Sequence, residues 1–210
     1  MKNDLPTRLI IGAHPDDIIL GMAGRLKIEQ DKYNTHILTM CCGREDSKII
    51  DRLHTDHSNL KELNCSINQQ TFFDLKLDTI DNIKINKIIE NEIRKIKPDE
   101  IFVIDEDNHY DHKIIYKAVM TATRSKARHQ VKGIFAFELP LMTNKTSSDN
   151  IGYEYIDIEE VAEMKFTMLE KYLTERIDTR EIEMIQKLWG LQSSNMFHCF
   201  EKYRTIYRKL

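Results

Sequence analysis

The sequence predicts a protein of the α/β class, with a mainly parallel sheet that carries helices on both faces. Short β-rich runs alternate with segments of helical periodicity through the first two thirds of the chain, as parallel strands joined by helices require. The 210 residues suit one domain with a sizeable core. No internal repeat of solenoid period is present. We therefore expect a single domain over residues 1–210.

The predicted strands and helices follow one another in order along the chain. Five strands are predicted, the first of them RLIIGA, at 8–13, 35–42, 70–75, 99–104 and 133–139. The helices that follow the first four strands are predicted at 18–32, 51–63, 82–96 and 111–127. One face of the third helix is apolar and is formed by Ile85, Ile88, Ile89, Ile93 and Ile96. Right-handed crossovers then give a Rossmann-like, doubly wound sheet as a core over 1–139.

The last third of the chain, 140–210, is predicted to be a helical and loop extension that shapes the substrate site. A polar loop at 141–152 is long for a simple connection, so we expect it to face a substrate. A short strand is predicted at 153–158, and helices at 158–173 and 178–189. The stripe of methionine and aromatic side chains in the first of these two helices is interpreted as core.

Composition and charge narrow the class of protein. The formal net charge is −3 and the lysines are interleaved with acids, which argues against a nucleic-acid partner. No apolar run approaches the ~18 residues that span a bilayer, and the first residues lack a signal-peptide pattern. The four cysteines show no CxxC spacing. We expect a cytoplasmic protein with a small-molecule substrate, and a homo-oligomer is left open.

Two polar runs come directly after predicted strands. HPDD at 14–17 follows the first strand, and HYDH at 109–112 lies just beyond the fourth. In open α/β sheets, ligands bind outside the carboxyl ends of the strands, so both runs are expected at one edge. Imidazole and carboxylate without thiolate suit a catalytic zinc that keeps open positions for water and substrate. The two runs together therefore predict a metal site.

Each run also has a purely structural interpretation. Asp16 or Asp17 would serve as a cap or a first-turn acid of the helix that begins near residue 18. The run at 109–112 would serve as a helix entry with Asp111 in its first turn. A third run, HTDH at 54–57, repeats the pattern inside a helical segment, so we interpret it as a mostly solvated face.

Six short stretches resemble a known family and occur in its order. They are GAHPDD at 12–17, LTMCCG at 38–43, Arg52 before LKELN, NHYDH at 108–112, FELP at 137–140 and YIDIEEVAEMKFTML at 155–169. The first and the fourth are the specific ones. The chain thus resembles the PIG-L/LmbE-like family of metal-dependent de-N-acetylases, which remove acetyl from N-acetylglucosamine-type groups. The resemblance spans most of the chain.

The resemblance assigns roles by position in the first run. It implies that His14 and Asp17, together with His112, bind zinc, with ferrous iron as the alternative metal. Asp16 matches the general base that activates the metal-bound water. This role is chemically reasonable because Asp16 is next to a ligand and reaches the same water without binding the metal itself.

Further roles follow from the second run and from the second helix. His109 matches the histidine that stabilises the oxyanion and protonates the leaving amine, which a charged imidazole would do. Asp111 matches the acid that orients His109 and keeps it charged. Arg52 matches an arginine that contacts substrate. Without the family, Arg52 would be interpreted as a surface residue of a helix.

The sequence departs from the family's pattern at two positions. Ile18 stands where the family usually has glutamate directly after the two aspartates. In MFHCFE at 196–201, His198 stands where the glutamate of an aromatic-Ala-Glu-x-Phe run is expected. We interpret His198 as filling space, with contact to the site or substrate as the alternative.

These observations predict a zinc-dependent hydrolase that removes acetyl from an N-acetylated amino sugar or its conjugate. One alternative is an amidase of the same family that acts on another acyl-amino sugar in glycan or antibiotic assembly. A second is a non-catalytic sugar- or nucleotide-binding homologue. A dinucleotide-binding enzyme is disfavoured because no GxGxxG follows the first strand. GMAG at 21–24 is instead interpreted as close helix–sheet packing.

Overall fold

The computed structural model describes residues 5–43, 49–124, 127, 129–140, 152–172, 177–193 and 198–209. These residues form a mostly parallel sheet covered by helices. The strands are β1 (Thr7–Gly12), β2 (Asn34–Cys41), β3 (Ser66–Phe72), β4 (Glu100–Ile104), β5 (Gly133–Phe137), β6 (Tyr153–Asp157) and β7 (Phe200–Arg208). The helices are α1 (Asp17–Ile28), α2 (Ile49–Glu62), α3 (Asn82–Ile96), α4 (Tyr110–Ala122), α5 (Ala162–Glu170) and α6 (Thr179–Ser193).

The sheet has the strand order β3-β2-β1-β4-β5-β7-β6. The first five of these strands are parallel, and β7 is antiparallel to both β5 and β6. After β1, the chain adds β2 and β3 on one side of this strand, and it then returns to add β4 on the other side, directly beside β1. At such a switch point the two following loops separate and leave a crevice at the carboxyl ends of the strands. Both predicted polar runs begin at this crevice.

The α/β class and the doubly wound, mainly parallel sheet are confirmed. Helices α1, α2 and α5 pack together, and α3 packs against α4 as a separate pair. The predicted strand at 153–158 is present as β6. The extension is more than helix and loop, because β6 and β7 continue the sheet beyond residue 139.

Strand β7 is not among the predicted strands, and β3 begins four residues and ends three residues earlier than predicted. In β7, the charged residues Glu201 and Lys202 are both buried, so the usual alternation of apolar and polar residues is lost. In β3, an edge strand, most side chains are only partly buried. The predicted strand cannot reach residue 75, because Leu75 has φ 60°, a left-handed conformation that strands do not adopt.

The core lies between the sheet and helix α1, whose residues from Asp17 to Leu26 are all buried. Two glycines let α1 approach the sheet. A Cβ atom on Gly21 would collide with Phe137 of β5, and one on Gly24 would lie 2.5 Å from Ile158. GMAG is thus confirmed as a site of close helix packing. Ile18 is 1% exposed and takes part in the same core.

A buried ion pair ties β7 to α5, and hydrogen bonds of the same glutamate tie β7 to α1. Glu201 and Lys165 are both fully buried, with Oε1 and Nζ 2.7 Å apart. The Glu201 carboxylate also accepts the N–H groups of Gly24 and Arg25 at 2.8 and 2.9 Å and the hydroxyl of Tyr203 at 2.7 Å. Burial lowers the pKa of Lys165, although the neighbouring Glu201 carboxylate acts in the opposite direction. Every acceptor position of this carboxylate is therefore used inside the core.

His198 does not fill space as predicted. Its side chain is 40% exposed, and its Nδ1 lies 2.6 Å from Oδ2 of Asp157. A glutamate also occurs three residues later, at Glu201 between Phe200 and Tyr203, but without the alanine of the family pattern. That His198 stands at the glutamate position of this pattern stays a prediction.

Two further sequence-based expectations concern the compartment. The four cysteines are free and buried, as expected in a reducing setting. No helix in the described ranges is both long and apolar enough to cross a membrane.

Of the loop predicted at 141–152, only Gly152 is described, so its expected role at the substrate stays a prediction.

Candidate metal centre

Three of the predicted site residues meet at the switch point. His14 follows β1, Asp17 begins α1, and His112 lies in the first turn of α4. Nδ1 of His14 lies 3.2 Å from Nε2 of His112. The Asp17 carboxylate is 3.6 Å from the first of these nitrogens and 3.7 Å from the second. The predicted ligand set is therefore brought together by the ends of two neighbouring strands.

These spacings suit a metal ion. Zinc–nitrogen and zinc–oxygen bonds of about 2.0–2.2 Å in a tetrahedron place neighbouring ligand atoms about 3.3–3.6 Å apart. The three separations, 3.2, 3.6 and 3.7 Å, lie close to this value, although Oδ2 of Asp17 is the oxygen nearest His14 and Oδ1 is the oxygen nearest His112. The surroundings also favour a cation. Burial lowers the pKa of His14, but Asp17, Asp111 and Asp74 outweigh it and raise the pKa to about 10.

The Asp17 side chain is held by the turn that precedes its own helix. Its Oδ2 accepts the N–H groups of Ala13 and His14 at 2.9 and 2.8 Å. Oδ1 is the oxygen that faces His112. Burial raises the pKa of Asp17, but the two histidines and these hydrogen bonds lower it well below its ordinary value. Asp17 is therefore an ionised carboxylate with Oδ1 directed at His112 and Oδ2 near His14.

A second carboxylate lies behind each imidazole. Nδ1 of His112 is 2.7 Å from Oδ2 of Asp107, and Nε2 of His14 is 3.1 Å from Oδ2 of Asp111. Such pairs fix the tautomer and the orientation of a metal-binding histidine. Asp107 is missing from the predicted site, although it lies in the same acidic run after β4. The sequence signal that could have identified Asp107 is its place in the run DEDNHYDH.

The side chain of Asp111 does not contact His109, contrary to the expectation. Its carboxylate accepts the backbone N–H groups of Leu75 at 2.7 Å and Leu77 at 3.4 Å, besides contacting His14. Only the backbone N–H of Asp111 reaches His109, at 3.2 Å from Nδ1. The first turn of α4 points the carboxylate away from the neighbouring histidine and toward β1. The carboxylate of Asp111 is thus paired with His14.

His109 lies beside the other two histidines and is half-buried. Its ring stacks on His112 with centroids 4.6 Å apart and meets His14 edge-on at 4.7 Å. Because Nδ1 accepts the N–H of Asp111, Nε2 is the ring nitrogen left to carry a proton. Burial and the charges of His14 and His112 lower the pKa of His109. The acceptor role of Nδ1 places the proton on Nε2, and the predicted charge on His109 stays a prediction.

Asp16 occupies a strained backbone conformation. Its φ is 110°, which is rare for a residue with a side chain and costs of order 1–3 kcal/mol. Its carboxylate oxygens both lie 3.1 Å from one guanidinium nitrogen, NH2, of Arg52. It begins α1 without a side-chain capping bond to the helix. The capping interpretation of Asp16 is therefore not supported.

Arg52 is buried, contrary to its interpretation as a surface residue of a helix. Besides Asp16, it donates from Nε to the carbonyl of Pro15 at 3.0 Å and from NH1 to Asp74 at 2.8 Å. Its side chain is 9% exposed. The guanidinium is thus committed mainly to the turn that carries Asp16 and to Asp74, which is a second acid missing from the predicted site.

The run HTDH is only partly the solvated face that was predicted. His54 is exposed and His57 is half-buried, but Asp56 is fully buried. Oδ1 of Asp56 accepts the hydroxyl of Tyr172 at 2.8 Å. Burial raises the pKa of Asp56 to about 7, although the hydrogen bond from Tyr172 acts in the opposite direction. The signal for Asp56 was its position four residues after Arg52, on the same helix face.

Other combinations of donor atoms lie nearby. Donors of His14, His109 and His112 lie within 4.8 Å of one another, as do those of His14, Cys41 and Asp111. Burial and the surrounding carboxylates raise the pKa of Cys41 far above its ordinary value, so its thiol is neutral. Asp111 faces Nε2 of His14, whereas Asp17 and His112 face Nδ1. The oxygen and nitrogen donors on the Nδ1 side are the better metal ligands.

Comparison with known proteins supplies the family. A model of the family described as "PIG-L: GlcNAc-PI de-N-acetylase" matches residues 9–123, more than half of the chain. The chain belongs to the PIG-L family. Within this family, an Escherichia coli K12 protein described as the uncharacterised deacetylase YaiS is 32% identical over 143 residues. That match covers 63% of this chain and 73% of YaiS. The two specific sequence motifs, HPDD and HYDH, both lie inside the PIG-L match.

Solved structures confirm the fold of this PIG-L chain. N,N'-diacetylchitobiose deacetylase from Pyrococcus horikoshii has a TM-score of 0.77 at 18% identity, covering 97% of this chain and 84% of that one. GalB, the 4-carboxy-2-hydroxymuconate hydratase from Pseudomonas putida KT2440, has a TM-score of 0.74 at 13% identity, covering 98% of both. At these identities the likeness concerns the fold alone, and the fold supports more than one reaction.

Proposed function

We propose that this protein is a metal-dependent hydrolase that removes acetyl from the nitrogen of an amino sugar or of its conjugate. The observation that carries the proposal is the convergence of His14, Asp17 and His112 beside Asp16, within a chain of the PIG-L family. The donor types and spacings support zinc, with ferrous iron as the alternative. A bound divalent ion supplies Lewis acidity that polarises the amide carbonyl and lowers the pKa of water.

Asp16 is the residue that we assign to proton transfer. Arg52 holds its carboxylate beside, and not within, the ligand set. Asp16 accepts a proton from water while the water oxygen bonds to the amide carbon. When the carbon–nitrogen bond breaks, Asp16 returns that proton to the departing amine. One carboxylate thus acts first as base and then as acid, which general acid–base catalysis permits when the group contacts both atoms.

His109 is assigned to the oxygen that gains charge in this reaction. Its Nε2–H is free to donate a hydrogen bond because Nδ1 already accepts the Asp111 N–H. A neutral donor of this kind stabilises an oxyanion without a proton being transferred. We retain His109 as the alternative donor of the proton to the departing amine. We assign Arg52 the role of holding the Asp16 carboxylate. Its direct contact with substrate is proposed as a secondary role.

The proposed substrate class rests on the family and its relatives. The family description names a GlcNAc-phosphatidylinositol de-N-acetylase, and one structural relative is a diacetylchitobiose deacetylase. We therefore propose an N-acetylglucosamine-type group. Another acyl-amino sugar in glycan or antibiotic assembly is the alternative substrate. A non-catalytic sugar-binding homologue is disfavoured, since Asp16 is present and His109 stacks on His112 of the ligand set.

The test measures acetate release from a panel of N-acetylated sugars, glycosides and glycolipids by the zinc-loaded protein, with a chelated sample beside it. We expect release from at least one member that chelation stops. Asp16→Asn should lower turnover by about 100-fold or more while metal stays bound, because it removes the proton acceptor. Asp51→Asn, an exposed acid of the same helix as Arg52, is the matched control. No release from any panel member would refute the proposal.

A further inference from the structure

Two large apolar side chains are exposed on the segments that carry the candidate metal centre. Leu75, in the loop after β3, is 55% exposed, and Tyr110, at the start of α4, is 70% exposed. Tyr110 lies between His109 and Asp111 in the chain. A single exposed apolar side chain is ordinary in a protein, but two of them beside one site form a surface that a ligand can cover. We call this pair the apolar rim.

The backbone of Leu75 is held close to the metal ligands by one carboxylate oxygen. Oδ2 of Asp111 accepts the Leu75 N–H at 2.7 Å and lies 3.1 Å from Nε2 of His14. The preceding residue, Asp74, turns inward, because its side chain is 8% exposed and accepts NH1 of Arg52 at 2.8 Å. The loop is therefore a wall of the crevice, and Leu75 is a side chain that this wall presents to solvent.

Neither the backbone nor the core accounts for a leucine at position 75. Its φ of 60° is a left-handed conformation that glycine or asparagine adopts with little strain and leucine does not. The exposed side chain also gains little from burial in this structure. Strained residues of this kind cluster where a protein contacts a ligand. Since a leucine side chain forms no hydrogen bonds, a ligand group that covers it is apolar.

Tyr110 supplies an aromatic ring at the same edge of the sheet. It is the first residue of α4, and helical side chains tilt toward the N-terminus of their helix. Its ring therefore projects from the end of α4 that carries His109 and His112. Nζ of Lys113 lies 5.6 Å from the centroid of the ring, which is still mostly exposed. Such a ring offers a large and rigid apolar contact area.

We infer that Leu75 and Tyr110 form a subsite for an apolar aglycone, an alkyl or aryl group linked to the amino sugar, beside the metal centre. Sugar hydroxyls find no hydrogen-bond partner on a leucine, whereas an alkyl or aryl group leaves water when it covers both side chains. The link between this subsite and an amino sugar rests on the proposed function. The contact with the aglycone itself needs no hydrolysis, so it can be measured separately.

Alkyl glucosides test the subsite without any reaction, because they carry no amide. Calorimetry with the zinc-loaded protein compares n-octyl and methyl D-glucopyranoside of both anomers, below the concentration at which the octyl compounds form micelles. We expect the octyl compound of one anomer to bind about 10-fold more tightly than its methyl counterpart, because several methylene groups leave water. Equal affinities for the octyl and methyl compounds of both anomers overturn the inference.

Leu75→Asn and Tyr110→Ser locate the octyl group on the protein. Asparagine tolerates the left-handed conformation, so Leu75→Asn removes apolar surface without adding strain. Each variant should lower the preference for octyl over methyl by about 3-fold or more. Tyr207→Ser is the matched control and should keep the preference, because Tyr207 is an exposed tyrosine that pairs with Ile134 at the opposite edge of the sheet. A preference that both rim variants keep overturns the inference.

A kinetic comparison separates this inference from the proposed function. Acetate release from the octyl and methyl glycosides of N-acetylglucosamine gives kcat/KM for each, and we expect the octyl glycoside to be preferred about 10-fold through a lower KM. If no glycoside releases acetate but octyl glucoside binds as expected, the proposed function fails and the subsite stands. If both are hydrolysed with equal kcat/KM, the subsite fails and the proposed function stands.

A second copy of the chain is the other occupant that the apolar rim could accept. Sedimentation of the wild-type protein and of Tyr110→Ser distinguishes it from an aglycone. We expect the same oligomeric state for both proteins. A dimer that Tyr110→Ser converts to monomers would identify the rim as an interface between copies and overturn the inference.

Discussion

The nitrogens of His14 and His112 that face each other lie 3.2 Å apart, although 98 positions separate the two residues in the chain. Strands β1 and β4 bring them together because these strands are neighbours at the point where the strand order of the sheet reverses. Asp17 completes the group from the first turn of α1. The site is therefore built by the topology of the sheet and not by any one local motif.

The first prediction concerns metal binding. His112→Ala should reduce bound zinc from about one ion per chain to a small fraction, because a site with three protein ligands loses one of them. Metal content after dialysis, measured by elemental analysis, checks this outcome. His54→Ala changes an exposed histidine and should leave the metal in place. Stoichiometric zinc in the His112 variant would remove this residue from the ligand set.

The second prediction separates two roles for Asp111. Asp107→Ala and Asp111→Ala should each weaken zinc affinity by about 10- to 100-fold, because each removes the carboxylate behind a metal-binding imidazole. Competition with a chelating dye measures the affinity, and the neighbouring Glu106→Gln serves as the control. If Asp111→Ala loses activity but keeps its zinc affinity, the carboxylate acts at His109 after all, and its assignment to His14 is wrong.

The third prediction concerns stability. Glu201→Gln should lower the free energy of unfolding by about 3–5 kcal/mol, because it leaves the buried Lys165 ammonium without its counter-charge. The double variant with Lys165→Met should recover part of this loss. Urea denaturation measures both. Lys171→Met breaks an exposed pair with Glu62 and should cost less than about 1 kcal/mol. Equal losses in the double and single variants would contradict the explanation.

The fourth prediction concerns the dependence of stability on pH. Hydrogen bonds from Lys132 and from the N–H of Thr7 lower the pKa of Asp99 below its ordinary 3.8. A lowered acid pKa stabilises the fold above the unfolded-state pKa, and this contribution disappears as pH falls through the folded-state value. Asp99→Asn should therefore be less stable than wild type at pH 7, with the difference shrinking at about pH 3. Urea denaturation at both pH values measures it, and a difference that grows on acidification would reverse the predicted sign.

The alternation of strands and helices was predictable because periodicity is a local property of the sequence. The apolar row of α3 was identified correctly, with Ile85, Ile89 and Ile93 buried. Strand β7 escaped prediction because its buried Glu201 is acceptable only with Lys165 and the helix N–H groups around it. A strand that buries charge shows no apolar alternation, so only the packed structure reveals it.

The sequence by itself predicted the parallel part of the sheet and most of the residues that gather at its edge, because polar side chains placed directly after β1 and β4 can only lie there. The tertiary structure alone decided the pairing of the acids: Asp111 with His14, Asp107 with His112, and Asp56 with Tyr172. Helical spacing shows which face a side chain occupies. The partner of that face depends on how the helices pack, and the packing is set by the whole core.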